Sequence, residues 1–405
     1  MKVLNVSTFD TRGGAAKAAY RLHHSLLSQN VHSQMLVQHK SSDDFTVLEP
    51  EGLFNRAVAL CQPTLDTLPF RFYLERPQNQ FSTSWQPTRK IIKKINSIKP
   101  DIVHLHWINK GLIHIEDMAK IEAPIVWSLH DMWPFSGGWH YDPPLAKNSM
   151  HKLDKSIEQR KQKTYSKISN LHLVAPSKWI EDCASKSTLL RNRTIKRLPN
   201  PLNTKIFKPI DKGVSRSLWN LPAAKKLVLF GAMGATSDPR KGFDLLNKAF
   251  QQIKRDDLEL VIFGASTPKV PPDLGNKINY VGTLSDDVSL VSLYNSVDVM
   301  IVPSRQEAFG QTASEAMACG TPVVAFAQTG LLDIVDHKMN GYLAQPNDIQ
   351  DLAAGIEWIL DNDSYAELSI NAREKAMREF DADALAKKFI LYYEHILSSN
   401  IALTN

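Results

Sequence analysis

The sequence predicts an α/β protein built from two successive domains, each a parallel β-sheet flanked by helices. Its 405 residues exceed the roughly 250–300 at which a single core stops growing, so two domains are expected. Short apolar runs rich in β-branched residues alternate with helix-length amphipathic segments along the chain. A Pro- and Asn-rich segment, residues 198–209, interrupts this alternation as an interdomain linker would. Two such domains place a ligand cleft at the carboxyl ends of their strands.

Before the linker, five apolar runs predict strands and four amphipathic segments predict helices. The predicted strands are residues 2–7, 33–39, 101–106, 125–129 and 171–175, and the predicted helices are 14–28, 88–98, 153–168 and 177–185. Residues 41–85 show no clear period, and we expect an irregular loop region there.

The alternation restarts after the linker. The predicted strands are residues 227–231, 258–263, 278–281, 299–302 and 323–326, and the predicted helices are 243–253, 286–295 and 311–319. Three further helical stretches close the chain, and the last of them covers residues 384–397.

The composition is that of an ordinary globular protein, with 43% hydrophobic and 22% charged residues. The three cysteines, Cys61, Cys183 and Cys319, lie far apart, which predicts neither a disulfide framework nor a metal cluster and favours a reducing compartment. No apolar run approaches the ~20 residues of a membrane span, and the N-terminus lacks a signal-peptide pattern. We therefore expect a cytoplasmic protein.

The net charge of +6 is unevenly distributed along the chain. Residues 1–200 contain 28 Lys and Arg against 17 Asp and Glu, whereas residues 201–405 contain 20 against 25. A basic first half favours an anionic partner, such as a phospholipid surface, a phosphorylated acceptor or nucleic acid. A charged surface without a partner is the alternative interpretation.

The segment 303–324 carries the most informative pattern. A predicted strand ends near Val302, and a helix is expected from about Gln311 until Gly320 ends it. Gly310 allows the backbone to approach a ligand closely, and the amides of Gln311 and Thr312 would lie at the helix N-terminus, where a diphosphate binds readily.

Two carboxylates, Glu307 in the loop and Glu315 one turn into the helix, can face one cleft and accept hydrogen bonds from vicinal diols. Their spacing of eight, the Phe309-Gly310 pair and the Glu-Ala-Met-Ala-Cys-Gly-Thr-Pro run at 315–322 resemble the donor-site motif of glycosyltransferase family 4. That family is retaining and has the GT-B fold, in which two Rossmann-like domains face each other across a cleft. An ordinary strand–loop–helix with surface glutamates is the alternative.

The resemblance implies a nucleoside-diphosphate sugar as donor, bound by the second domain. It implies Glu315 on the ribose hydroxyls, Glu307 on hydroxyls of the transferred sugar, and Phe309 at the donor site. It also implies domains at residues 1–200 and 201–380, with a C-terminal helix, 381–405, that completes the first.

Two further segments extend the implied phosphate site. Gly13 and Gly14, directly after the first strand, can form a backbone anion cradle, although a tight turn would explain them equally. Lys241, before a glycine, matches the family's diphosphate-binding lysine. The family's usual upstream arginine is missing, and whether the adjacent Arg240 replaces it is left open, since surface charge would also explain both cations.

The loop 127–141 is dense in aromatic residues that could form a stacking surface for a sugar, namely Trp133, Phe135, Trp139 and Tyr141. His130 resembles the family's histidine near the reacting sugar, and Asp131 offers an acceptor oxygen beside it; a structural role for His130 is the alternative. We therefore expect Asp131, Trp133 and Trp139 to bind the acceptor.

Two smaller patterns complete the comparison. Gly282 and Thr283 resemble the family's loop that holds the nucleotide base by backbone contacts. His104 and His106 share one face of a predicted strand, but no carboxylate or cysteine accompanies them to suggest a metal site.

Together these features predict a retaining glycosyltransferase of the bacterial exopolysaccharide or O-antigen type, acting on a glycan or lipid-linked acceptor in polysaccharide biosynthesis, with His130, Glu307 and Lys241 as catalytic residues. No metal or other cofactor is expected, because no Asp-x-Asp triplet occurs in a donor-site position; the triplet at 381–383 lies before the last helix. A nucleotide-sugar epimerase of the same fold is the alternative. A nucleic-acid partner is not expected, because no recognition motif occurs.

Residues 147–197 contain thirteen Lys and Arg against four acids, partly on the predicted helix 153–168. This pattern is typical of reversible electrostatic binding to an anionic membrane surface. A solvated basic face is the alternative.

Overall fold

A computed structural model of the chain describes residues 1–73, 80–142, 150–270 and 272–404. It divides into two compact units, one formed by Met1–Pro201 with the stretch from Asp383 onward, and the other by Leu202–Ala382. Each unit contains one parallel sheet flanked by helices, which confirms the predicted α/β fold class.

The first unit contains a seven-stranded parallel sheet in the order β3-β2-β1-β4-β5-β6-β7. The strands are β1 (Lys2–Phe9), β2 (His32–His39), β3 (Val47–Leu48), β4 (Ile102–Leu105), β5 (Ile125–Ser128), β6 (Leu171–Ala175) and β7 (Ile195–Arg197). The helices before the linker are α1 (Gly14–Ser28), α2 (Leu53–Asp66), α3 (Arg89–Ile98), α4 (His151–Tyr165) and α5 (Lys178–Lys186). The chain order reverses between β1 and β4, so the loops after these two strands start at a topological switch point.

The expected irregular region at residues 41–85 is wrong for the described part of that segment. It contains β3, helix α2 and a 3₁₀ helix at Leu68–Phe72. The helical period of α2 is obscured because apolar side chains such as Val58 and Leu60 are exposed to solvent, and because Pro63 lies within the helix. Residues 74–79 lie outside the described residues.

The second unit contains a six-stranded parallel sheet in the order β10-β9-β8-β11-β12-β13. The strands are β8 (Lys226–Gly231), β9 (Leu258–Phe263), β10 (Lys277–Gly282), β11 (Val299–Val302), β12 (Val323–Phe326) and β13 (Gly341–Ala344). The helices are α6 (Lys212–Leu218), α7 (Phe243–Phe250), α8 (Asp287–Ser296), α9 (Gln311–Ala318), α10 (Ile349–Leu360) and α11 (Tyr365–Phe380). The short elements β7, α6 and β13 were not predicted, because three to seven residues carry too little periodicity to detect.

The last helix, α12 (Ala382–Thr404), belongs to the first unit rather than to the unit that precedes it in the chain. Its Phe389, Tyr393 and Ile396 are buried in one core cluster with Leu22 of α1 and Val3 of β1. No helix among the described residues is long and apolar enough to cross a bilayer.

Removing the Phe389 side chain should destabilise the first unit. We expect Phe389→Ala to lower the free energy of unfolding by roughly 3–5 kcal/mol, because a buried ring is replaced by a cavity. Leu391 is 65% exposed on the same helix, and Leu391→Ala should change stability by less than about 0.5 kcal/mol. Denaturant titration of both variants measures the difference, and equal midpoints would show that α12 does not stabilise the core.

Candidate active site

In the second unit, the loop after β11 and the start of α9 form a backbone site for an anion. Gly310 has φ 107°, and a Cβ at this position would lie 2.8 Å from Leu331 Cδ2. The first helical hydrogen bond runs from Ala313 N to Gly310 O at 3.0 Å, so the amides of Gln311 and Thr312 precede it. The buried Nε2 of Gln311 has no hydrogen-bond partner within the described residues.

Glu307 and Lys241, which the sequence places in separate loops, form an ion pair. Ser304 Oγ also donates to Glu307 Oε1, at 3.0 Å, and Glu307 N donates to Thr329 Oγ1 at 3.2 Å. The Glu307 carboxylate therefore has a fixed position at the carboxyl end of β11. Ser304 and Thr329 carry no sequence signal for this role, because each is a common loop residue.

Gly242 allows the two loops to approach. Its φ is 72°, and a Cβ there would lie 1.9 Å from the carbonyl oxygen of Pro303. Arg305 fastens the same loops together: its N donates to Arg240 O at 2.7 Å, and its guanidinium donates to both carboxylate oxygens of Asp244 at 2.7 and 2.8 Å. Arg305 was not predicted, because an arginine in this part of the motif cannot be distinguished from an ordinary surface residue by its sequence.

Arg240, the residue whose role was left open, pairs with Asp238 at 2.5 Å. Asp238 also accepts from Arg240 N at 3.0 Å, so one carboxylate fixes both the side chain and the backbone of this arginine. The ammonium of Lys241, in contrast, pairs with the Glu307 carboxylate.

Glu315 is buried, at 3% exposure, and its carboxylate accepts from Tyr294 Oη at 2.8 Å. Tyr294 lies on α8 and was not predicted, because its hydroxyl meets Glu315 only after α8 and α9 pack together. Phe309 requires a correction: its ring is buried in the core and packs edge to face on Phe380 at 5.4 Å, so it is not a ligand-contacting surface.

Gly282 ends β10 with φ 77°, and Thr283 is exposed after it. In the first unit, Gly13 precedes α1 with φ 95°, and Gly14 is its first residue. The backbone at these positions follows the ends of β10 and β1, which is the edge of a parallel sheet where ligands bind.

The aromatic loop after β5 does not form the expected stacking surface. Trp133, Phe135 and Trp139 are 1%, 6% and 3% exposed. The carboxylate of Asp131 is also buried, where it accepts hydrogen bonds from three donors. These are His140 Nδ1 at 2.6 Å, Trp107 Nε1 at 2.9 Å and Trp133 N at 3.0 Å. Burial raises the pKa of Asp131, but His140 and the other donors outweigh it and hold the pKa below its usual value.

A buried lysine of α4 explains why this loop folds inward. Lys161 Nζ donates to the carbonyl groups of Trp133, Ser136 and Gly137 and lies 3.5 Å from the Trp133 ring centroid. Its side chain is fully buried, which lowers its pKa well below the usual value. Lys161 is therefore not part of the exposed basic surface predicted for residues 147–197.

His130 belongs to a chain of buried hydrogen bonds that begins beneath the sheet edge. His130 Nε2 lies 2.9 Å from His106 Nδ1, and His106 Nε2 lies 3.2 Å from Asn5 Oδ1. Asn5 Nδ2 donates to Ser33 Oγ at 3.0 Å. Because the Asn5 oxygen only accepts, His106 donates through Nε2 and accepts through Nδ1.

The chain continues from Ser33 to the surface. Ser33 Oγ lies 2.8 Å from His23 Nδ1, and His23 Nε2 lies 2.8 Å from Thr46 Oγ1. Thr46 Oγ1 in turn donates to the Asp44 carboxylate at 2.6 Å. All hydrogen bonds of the chain can therefore have their donor on the His130 side and their acceptor on the Asp44 side. The last acceptor is the Asp44 carboxylate.

This direction fixes the tautomer of His130. Its proton is on Nε2, and Nδ1 remains a hydrogen-bond acceptor. His130 lines a small pocket together with Ser128, His106 and Asn200. The geometry thus offers a neutral imidazole that can accept a hydrogen bond from a hydroxyl.

Burial keeps these histidines uncharged at neutral pH. It lowers the pKa of His104 to about 3 and of His23 and His130 to about 4, and it lowers the pKa of His106 well below its usual value. His104 lies next to the chain, with Nδ1 2.6 Å from Tyr393 Oη and Nε2 2.9 Å from Ser128 Oγ.

These pKa shifts should make the first unit less stable in mild acid. The folded pKa values lie below the unfolded value, so the unfolded state binds more protons and the free energy of unfolding falls as pH drops below about 6.5. Each histidine contributes a slope of about 1.4 kcal/mol per pH unit. We expect His104→Gln to reduce the slope between pH 6 and 5 by that amount in denaturant titrations.

Ser128→Ala is the matched control, because it removes the hydrogen bond to His104 but keeps the imidazole. Its slope should equal that of the unmodified protein. An unchanged slope in His104→Gln would show that this histidine is not buried in its neutral form.

Comparisons with known proteins match both units of the chain. The family model described as Glycosyltransferase Family 4 matches residues 12–206, and the model described as Glycosyl transferases group 1 matches residues 220–376. A GDP-mannose-dependent alpha-mannosyltransferase of Corynebacterium glutamicum is 26% identical over 78% of this chain and 73% of its own length. A D-inositol 3-phosphate glycosyltransferase of Thermobispora bispora is 30% identical, but the match covers 49% of this chain and 50% of that protein.

The solved structures extend the likeness to the fold. Sucrose-phosphate synthase from Thermosynechococcus elongatus superposes with a TM-score of 0.69 at 20% identity, over 98% of this chain and 100% of that one. HepE of Anabaena, solved with UDP and glucose, gives a TM-score of 0.68 at 17% identity, over 97% and 99%. The chain spans about half the length of several curated relatives that it matches; it belongs to glycosyltransferase family 4 and has the GT-B fold.

Proposed function

We propose that the protein transfers a sugar from a nucleoside-diphosphate sugar, held by the loops of the second unit, to a glycan or lipid-linked acceptor bound by the first. One observation carries the proposal: two loops that Arg305 holds together contain several hydrogen-bond donors. They are the N-terminal amides of α9, the Lys241 ammonium beside Glu307, and the buried Nε2 of Gln311, which has no partner within the described residues. Backbone amides, a side-chain amide and an ammonium are the donors that a diphosphate requires.

In this proposal, the charge that develops on the leaving diphosphate is stabilised by Lys241 and the α9 amides, so no metal is needed. Glu307, which already accepts from Lys241 and Ser304, would accept from hydroxyls of the transferred sugar. Retention of the anomeric configuration is proposed from the likeness to glycosyltransferase family 4. His130 would accept from a sugar hydroxyl through Nδ1.

The ribose would contact Glu315, whose carboxylate is oriented by Tyr294. The nucleotide base would contact the backbone at Gly282 and Thr283. The names of the relatives support a nucleotide sugar without naming one, because HepE was solved with UDP-glucose whereas the Corynebacterium protein is described as GDP-mannose-dependent. A role in polysaccharide biosynthesis is supported by the likeness to WaaG, described as acting in lipopolysaccharide biosynthesis, with a TM-score of 0.64.

Neutralising Lys241 should impair turnover more than donor binding. We expect Lys241→Gln to lower kcat by about 10²–10³-fold, because the lost cation stabilises charge that forms mainly in the transition state. Donors are first identified by thermal shift against a panel of nucleotide sugars, and kcat is then measured with a donor that stabilises the protein.

Lys254→Gln is the matched control, since Lys254 is an exposed lysine of the same unit. It should retain full activity. Wild-type turnover in Lys241→Gln, or stabilisation by no nucleotide sugar, would contradict the assignment of the donor site.

We also propose that the acceptor is presented at an anionic membrane surface. At 3.6 residues per turn, Lys152, Lys155 and Lys163 share one face of α4, and all three are exposed. The opposite face carries Ile157 and the buried Lys161. Lys147, which the predicted basic segment included, lies outside the described residues.

Reversing these charges should abolish vesicle binding. We expect the protein to float with liposomes that contain anionic lipid at low salt, and to be released at high salt, because each exposed cation contributes only about 1 kcal/mol. The triple variant Lys152→Glu, Lys155→Glu, Lys163→Glu should remain unbound. The triple variant Lys225→Glu, Lys254→Glu, Lys277→Glu in the second unit controls for net charge. Equal flotation of both triple variants would show that the α4 surface does not bind the membrane.

A further inference from the structure

Two cations, Arg12 and Lys110, lie over one aromatic stack in the first unit, where β1, β2 and β4 end. The ring of Phe9 stacks on His39 at 5.3 Å and on Trp107 at 6.4 Å. Lys110 Nζ lies 5.1 Å and Arg12 Cζ 5.8 Å from the centroid of the same Phe9 ring.

The cluster has a fixed frame. Trp107 Nε1 donates to the buried Asp131, and Trp107 O accepts from Thr8 N at 2.7 Å. Thr8 Oγ1 also donates to Asn109 O at 2.8 Å, which ties the residue before Lys110 to β1. Lys110 therefore extends from a loop that hydrogen bonds hold against β1.

No carboxylate neutralises these charges. Within the described residues, Arg12, His39 and Lys110 form no ion pair, and the nearby Asp10 accepts from the backbone amides of Thr11, Ser41 and Ser42 instead. Burial, followed by the charge of Arg12, lowers the pKa of Lys110, and burial together with both cations lowers the pKa of His39.

A buried hydrogen-bond donor, on Asn109, directly precedes Lys110 in the chain. Asn109 is 2% exposed, and its Nδ2 has no partner in the described part of the chain. A guanidinium, an ammonium, an imidazole and an amide thus occur in one region, and no ion pair within the described residues neutralises the two cations. Buried polar groups and clustered like charges are costly unless a ligand compensates them.

We propose that Arg12, His39, Lys110 and Asn109 bind a phosphate group of the acceptor. Arginine and lysine are the residues that bind phosphate oxygens best, and the two positive charges of Arg12 and Lys110 match the double negative charge of a phosphate monoester. That the phosphate belongs to the acceptor rests on the proposed function, whereas phosphate binding by these residues does not.

The site is tested by titrating inorganic phosphate into the full-length protein at constant ionic strength and following the melting temperature. We expect Arg12→Gln with Lys110→Gln to weaken phosphate binding at least tenfold. Arg56→Gln with Lys94→Gln is the control, because it removes the same charge from exposed residues that pair with Glu49 and Glu51. Lys241→Gln, which alters the donor site, should bind phosphate at this cluster normally. Equal affinity in the Arg12–Lys110 variant and the unmodified protein would overturn the proposal.

A second measurement locates the ligand. Bound phosphate should protect Lys110 from an acetylating reagent, because it covers the side chain and favours the charged ammonium, as mass spectrometry of the peptides will show. Lys90, exposed on α3, reports general effects of phosphate on the reagent. Equal acetylation of Lys110 with and without phosphate would refute the site.

The source of the phosphate is distinguished by two further probes. Glycerol 3-phosphate should compete with inorganic phosphate and protect Lys110, as a monoester on a soluble acceptor would. Vesicles of phosphatidic acid should protect Lys110 only if a lipid phosphate also fits. Protection by vesicles without protection by either soluble phosphate would contradict a phosphate site. Because these readouts need no turnover, phosphate binding without sugar transfer would refute the proposed function and leave this site intact.

Discussion

The candidate donor site depends on one close approach between two loops. The backbone of Gly242 passes so near the carbonyl of Pro303 that any side chain would clash at 1.9 Å, and only glycine adopts the φ of 72° there without strain. This approach lets Lys241 reach Glu307, while Arg305 fastens the loops through Arg240 O and Asp244. The geometry of the charged groups is therefore set by backbone packing before any ligand binds, which is the preorganisation that electrostatic catalysis requires.

In the first unit, polar side chains are buried within and beside the sheet, where they need hydrogen-bond partners. Asn5 on β1, His104 on β4 and His106 just after β4 are fully or almost fully buried, and each has hydrogen-bond partners. Their chain of hydrogen bonds sets the tautomer of His130 and ties α12 to the sheet through Tyr393. The same contacts that stabilise the fold thus orient the imidazole proposed to meet the sugar, at the cost of stability in mild acid.

Most of the fold could be predicted because long buried strands and their flanking helices leave a clear period, as in β1, α1, β9 and the β11–α9 motif. The loops after the strands could be located but not oriented. The inward turn of Trp133 depends on Lys161, twenty-eight residues further along the chain, and the position of Tyr294 against Glu315 depends on how two helices pack. Such contacts between distant segments have no local period. For the same reason, an arginine with a structural role, Arg305, could not be distinguished from surface charge.

The central claim, that the α9 site of the second unit binds the diphosphate of a nucleotide sugar, is tested most directly by amide hydrogen exchange. Exchange is followed by mass spectrometry with and without UDP or GDP, whichever stabilises the protein. The account predicts slower exchange at residues 310–314 and 238–242, because these amides lie at the helix N-terminus and in the loop that carries Lys241. Protection absent from both segments, or confined to residues of the first unit, would contradict it.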